Sequence, residues 1–221
     1  MADETTPKDQ PKPPETKPAA EKPAASATPP TAAAPPAAKP AAAAPAAPAK
    51  PAGPTPQPWE SEMVAKFKGR FGSGVREAST YQGQSYMIVD ASVVYQVLQV
   101  LRDDEGFDYC VDITAVHYPK RDEQFDVVWI LYSFPRNERI RIKTLLKDGA
   151  AAPSVASIWS TANWLEREVF DMFGIGFEGH PDLRRILLPD GWKGYPLRKD
   201  YPILQQDTEW VKINLGIESG Q

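Results

Sequence analysis

Apolar side chains recur in an ordered way only after residue 58, and their period changes several times along the chain. Over residues 59–67, Met63, Val64 and Phe67 share one side of a short helix. Residues 75–80 and 86–89 read as short strands joined by a turn near Gln82-Gly83. Asp90 stands where a helix cap is expected; Val94, Val97, Leu98 and Leu101 form the buried face, and Gly106 ends the helix. Strict alternation follows: Phe107, Tyr109, Val111, Ile113 and Ala115 point one way, Asp108, Cys110, Asp112 and Thr114 the other. Residues 125–134 are apolar on both faces, which suits a central strand covered on both sides. Residues 139–145 alternate again, with Ile140 and Ile142 inward and Arg139, Arg141 and Lys143 outward. The links 118–124 and 135–138 are short enough for antiparallel hairpins.

After a helical turn at 155–159, a last helix opens at Asn163, with Glu166 at the spacing of a capping box. Leu165, Val169, Met172 and Phe173 make one face, and Gly174 stands where a left-handed C′ residue is expected. The order is helix, hairpin, helix, three-strand meander, helix. This is a two-layer α+β domain with a mixed, largely antiparallel sheet packed by helices. It occupies residues 59–177, and residues 178–221 form a tail of another kind. Glycine and proline break the tail repeatedly, yet it carries Leu183, Ile186, Leu188, Trp192, Leu197 and Tyr201 among Arg184, Arg185, Arg198 and Lys199. An irregular segment with such groups is expected to bury them against a partner.

Composition separates the first 58 residues from the rest. They hold 17 of the 24 prolines and no large apolar side chain after Met1. Such an arm is expected to be disordered with polyproline II bias, serving as a spacer or docking arm or as a tail with no essential role. It lacks the apolar stretch of a signal peptide. No window approaches the ~18 consecutive apolar residues of a membrane span, so a soluble chain is expected. The formal net charge of −4, without a basic face interleaved with aromatics, argues against nucleic-acid binding.

Chemistry is sparse. One cysteine, Cys110, cannot by itself hold an iron–sulfur cluster, which normally takes about four thiolates. His117 and His180 lack metal-ligand spacing; His117 fits a turn, and His180 with Asp182 fits an orienting pair. No G-x-G-x-x-G or P-loop is present to place a nucleotide. Glu166, Glu168 and Asp171 could anchor the tail or an interface, line a solvated helix face, or do acid–base work. Arg184-Arg185 and Arg198-Lys199 divide between partner contacts and solvated charge.

The run Glu166-Arg167-Glu168, then Asp171, Met172 and Phe173, then His180, Arg184 and Ile186 resembles the signature of one family. That family is the "30 kDa", or C-type, subunit of bacterial respiratory NADH–quinone oxidoreductase, complex I. Gly194-Tyr195-Pro196-Leu197-Arg198-Lys199-Asp200-Tyr201-Pro202 is similar to its C-terminal run. The likeness is dense over the last third of the chain, looser from Trp59, and absent from the arm. It implies a peripheral-arm component without catalytic residues, metal or cofactor of its own, on the cytoplasmic face of the inner membrane. FMN, iron–sulfur clusters and quinone would belong to partner subunits of the proton-translocating complex. The tail would pack against the quinone-site (D-type) neighbour, beside iron–sulfur subunits. The partner interface carried over by the motif is Glu166, Arg167, Glu168, Asp171, Phe173, His180, Arg184, Arg185, Ile186, Trp192, Leu197, Arg198, Lys199, Asp200 and Tyr201. An equivalent subunit of a complex-I-related membrane-bound hydrogenase, or a free-standing adaptor working through its proline-rich arm, are the other readings.

Overall fold

The computed structural model describes residues 54–202 and 208–216. The arm therefore lies outside the described residues, apart from its last five. Two of these, Gln57–Pro58, are not arm at all. They form strand β1, pairing antiparallel with Ser79 and Thr80, so the domain starts before Trp59. Next come helix α1 (Glu62–Phe71), strands β2 (Val75–Tyr81) and β3 (Gln84–Val89), and helix α2 (Val94–Asp103). The meander follows as β4 (Tyr109–His117), β5 (Phe125–Ser133) and β6 (Glu138–Leu146). A two-residue strand β7 (Ala152–Pro153), helix α3 (Ala162–Phe173) and strand β8 (Phe177–Glu178) complete the domain.

Six strands lie in the order β1-β2-β3-β6-β5-β4, antiparallel except for the β3–β6 pair. The expected mixed α+β architecture is present. Phe67 of α1, Leu98 and Leu101 of α2 and Trp129 of β5 are fully enclosed in one core. Each such side chain contributes about 1.5–3 kcal/mol relative to exposure. The β2–β3 turn is tight because Gln82 and Gly83 both take positive φ, 50° and 75°.

Four local expectations need correction. Ser61, not Trp59, starts α1, its hydroxyl accepting from Val64 N–H. Asp90 leads into α2 only through its carbonyl, which accepts from Val94 N–H, while its carboxylate is drawn away to Arg76. In β4, Cys110 pairs with Leu131 and Asp112 with Ile130, leaving Val111 as an inserted bulge residue. The bulge reverses the phase of the strand's first residues: Cys110 is buried with Ile113, Ala115 and His117, and Tyr109 is exposed. Finally, the outer face of β5 is covered only along its first half, where Asp126 and Val128 are buried. Trp129 and Leu131 are enclosed, whereas Ile130 and Tyr132 are half-buried.

Parallel pairing of β7 with β8 draws the loop before α3 against the chain leaving it. Residues 155–159 make the expected single helical turn, Trp159 N–H donating to the Val155 carbonyl, and Trp159 Nε1 donates to the Phe107 carbonyl. The Thr161 hydroxyl likewise donates to the Cys110 carbonyl. These bonds occupy free edge carbonyls near the start of β4. They also fix α3 beside that strand.

Candidate docking surface

An α-helix ends with four carbonyls that have no partner inside it. In α3 these belong to Phe170, Asp171, Met172 and Phe173, and each is satisfied. Gly174, in the expected left-handed conformation at φ 75°, donates its N–H to the Phe170 carbonyl. The other three bonds come from the tail: Arg185 to Asp171 O at 3.3 Å, Leu197 N–H to Met172 O at 3.1 Å, and Arg198 Nε to Phe173 O at 2.6 Å. Tyr195 crosses so close to Gly174 that a Cβ there would stand 2.5 Å from its ring. The tail up to Tyr201 is thus laid over the end of its own domain, which the expectation of burial against a partner did not include.

Asp171 is the hub. Its fully buried carboxylate accepts from the N–H groups of Ile186, Leu187 and Leu188 at 2.7–3.0 Å and from Arg185 at 2.8 Å. Burial alone would raise its pKa. The three backbone donors and the guanidinium outweigh that and hold the carboxyl below the ordinary carboxylate range. Arg185 reaches on to the Gly194 carbonyl, linking two tail segments.

Glu166 does different work from the capping box expected of it. Fully buried, it accepts from the Ser154 hydroxyl and from Val155 N–H, both at 2.6 Å, tying the loop before α3 to the helix. Burial pushes its pKa up to about 7, against the pull of those two bonds. Asn163 offers its carbonyl to His180 Nε2 at 3.1 Å. The partner of His180 Nδ1 is the backbone N–H of Asp182, not its carboxylate, which pairs with Arg184. That pair is exposed on both sides and contributes at most about 1 kcal/mol.

Arg167 donates to the Arg184 carbonyl and stacks on Trp164; Glu168 faces solvent. Phe173 is buried. Ile186 and Tyr201 are half-buried, while Lys199 and Asp200 are exposed. Trp192 packs on Trp210 of an eight-residue helix, α4 (Thr208–Leu215), which the glycine and proline pattern gave no reason to expect. Among the exposed charges three large apolar side chains also face outward: Trp164, Leu187 and Leu197 are 62%, 60% and 53% exposed. Sequence reasoning missed Ser154 and the inward role of His117, whose Nδ1 accepts Lys199 N–H. Counting unsatisfied carbonyls at the end of α3 would have pointed to the tail as their partner.

No cluster of three or more His, Cys, Asp or Glu side chains placed to hold a metal occurs among the described residues. No helix among them is long and apolar enough to cross a membrane. A groove of about 530 Å³ lies between Trp59, Arg136 and Arg139 and involves none of the tail residues.

Comparison with known proteins adds a second line of observation. A family model described as respiratory-chain NADH dehydrogenase, 30 Kd subunit, matches residues 87–207. The C-type subunit of NADH-quinone oxidoreductase from Citrifermentans bemidjiense is 42% identical over 156 residues, spanning 70% of this chain and 97% of that protein. Its counterpart from Phenylobacterium zucineum is 47% identical over 152 residues, 69% of each chain. Among solved structures, a chain of the membrane-bound sulfane sulfur reductase, an archaeal respiratory membrane complex, aligns with TM-score 0.57 and 26% identity. It covers 71% of this chain and 91% of that one.

Proposed function

The chain belongs to the 30 kDa subunit family of respiratory-chain NADH dehydrogenase, and from that membership we propose that it works as a non-catalytic scaffold in NADH–quinone oxidoreductase. In this reading NADH, FMN, the iron–sulfur centres and quinone are handled by partner subunits, with electrons passing between them coupled to proton translocation. The domain supplies a rigid base. Its tail presents Leu187 and Leu197, and α3 presents Trp164, to the quinone-site neighbour and to adjacent iron–sulfur subunits, and Arg184, Lys199 and Asp200 set the register. The protein would sit peripherally, on the cytoplasmic face of the bacterial inner membrane.

One observation carries this proposal. The Asp171 carboxylate gathers three consecutive backbone N–H groups, so Ile186 to Leu188 are held by main chain while the Leu187 side chain stays outside. A segment pinned through its backbone, with its apolar group turned outward, is preorganised for association.

Asp171→Asn tests it in the native complex. The amide keeps the volume but removes the charge and turns a donor toward other donors. The expected outcome is a folded domain with a protease-sensitive tail and loss of co-purification with the other subunits. Wild-type recovery of the complex would show that the tail is not the docking element.

The likeness to the sulfane sulfur reductase chain supports a second reading, the equivalent subunit of a complex-I-related respiratory assembly such as a membrane-bound hydrogenase. Assaying the purified complex with NADH against other donors separates the two. A free-standing adaptor need not sediment with membranes, whereas a subunit of the complex should.

A further inference from the structure

The sequence holds two histidines, and both rings turn Nδ1 toward a backbone N–H of the tail. At the root of the tail, Asp182 N–H donates to His180 Nδ1 at 3.0 Å. Further along it, Lys199 N–H donates to His117 Nδ1, also at 3.0 Å. A backbone N–H can only donate, so each Nδ1 carries its lone pair and each ring proton is assigned to Nε2. The opposite nitrogens agree: His180 Nε2 faces the Asn163 carbonyl at 3.1 Å, and His117 Nε2 faces Gln124 Oε1 at 3.4 Å. Both imidazoles are therefore neutral and of the same tautomer.

The surroundings of His117 contain the alternative. Its buried ring stacks on Phe125, centroids 4.6 Å apart, and the Arg198 guanidinium also lies over Phe125. The Lys199 ammonium lies over Tyr118. Asp200 Oδ1 is 3.6 Å from Nδ1, and the residue is exposed. Around His180, Glu166 Oε2 approaches Nε2 to 3.9 Å from α3, and Asp182 is engaged with Arg184. Cys110, on β4, is the remaining titratable group close to Glu166.

We propose that His117 is an acid-sensitive fastener of the tail, with His180 its counterpart at the root. The neutral ring accepts Lys199 N–H and holds the chain down. A ring that gains a proton at Nδ1 can no longer accept; it donates instead to Asp200, the next residue. The two arrangements exclude one another, because both use the same nitrogen. One proton thus exchanges a backbone bond for a side-chain bond and releases the Lys199 N–H, while the bonds of Leu197 and Arg198 to the end of α3 are made by other groups. What this release regulates rests on the docking proposal above; the fastening itself does not.

Amide hydrogen exchange on the full chain, resolved at Lys199 and corrected for intrinsic pH dependence, tests the inference at about pH 7.5 and about pH 5.5, across the range where imidazoles change charge. Wild-type protection at Lys199 should fall roughly tenfold on acidification, the scale of one lost hydrogen bond. His117→Asn puts a non-titrating Oδ1 in the place of Nδ1, and it should keep Lys199 protected at both pH values. His117→Leu should leave Lys199 unprotected at both. Constant wild-type protection, an equal acid loss in His117→Asn, or a parallel loss at the Val97 amide inside α2 would each overturn the proposal. Co-purification of the complex is read separately, so failure of docking leaves the exchange result standing.

Discussion

Glu166 is a carboxyl group where little water reaches, and its proton affinity follows from that. Burial lifts its pKa from 4.5 to about 7 in the folded chain, so folding favours the protonated form. Stability from this group is fully present below about 4.5 and is lost as pH rises through about 7. Glu166→Gln keeps an acceptor for Val155 N–H and cannot ionise. Urea unfolding should therefore show the variant gaining on the wild type between about pH 5 and about pH 7.5, with its own stability flatter over that window. A pH-independent difference between the two proteins would mean that Glu166 stays ionised throughout. Residue types alone did not reveal this environment. The spacing from Asn163 to Glu166 fits a capping box, but Ser154 and Val155 offer better-placed donors once β7 pairs with β8. Asp90 repeats the lesson, its carboxylate going to Arg76. A side-chain oxygen goes to the donors that tertiary structure delivers, and those are invisible to local spacing.

At the scale of elements, α3 was readable because its apolar face is periodic and a glycine follows it. The start of β4 was misread because one inserted residue, Val111, reverses the alternation, and nothing in an alternating string marks where a bulge falls. Gly174 is needed twice over: its φ of 75° is a left-handed conformation, and Tyr195 fills the space of a Cβ. Gly174→Ala should cost on the order of 1–3 kcal/mol and lower the thermal midpoint by several degrees, most of it through displacement of Tyr195. Adding Tyr195→Ala should recover part of that loss. No recovery in the double variant would mean that backbone strain alone is responsible.

At the scale of the molecule, the order of elements and the mixed sheet follow from periodicity, whereas the domain begins earlier than its composition suggests. β1 lies inside the proline-rich composition, where two residues pair with β2 although their types are poor strand formers. A chain beginning at residue 54 should therefore melt like the full chain, while one beginning at residue 59 should melt lower, having lost the strand that covers Ser79 and Thr80. Equal midpoints would make β1 energetically silent. The tail was misread because apolar content was weighed and carbonyls were not.

The bonds between the tail and the last turn of α3 also bear on the order of synthesis. Leu197 and Arg198 leave the ribosome after the whole domain, yet they satisfy carbonyls of a helix made well before them. Until those residues emerge, α3 ends in open acceptors over a domain otherwise able to fold. A nascent chain interrupted in the tail is thus left unfinished at one defined spot, the last turn of α3.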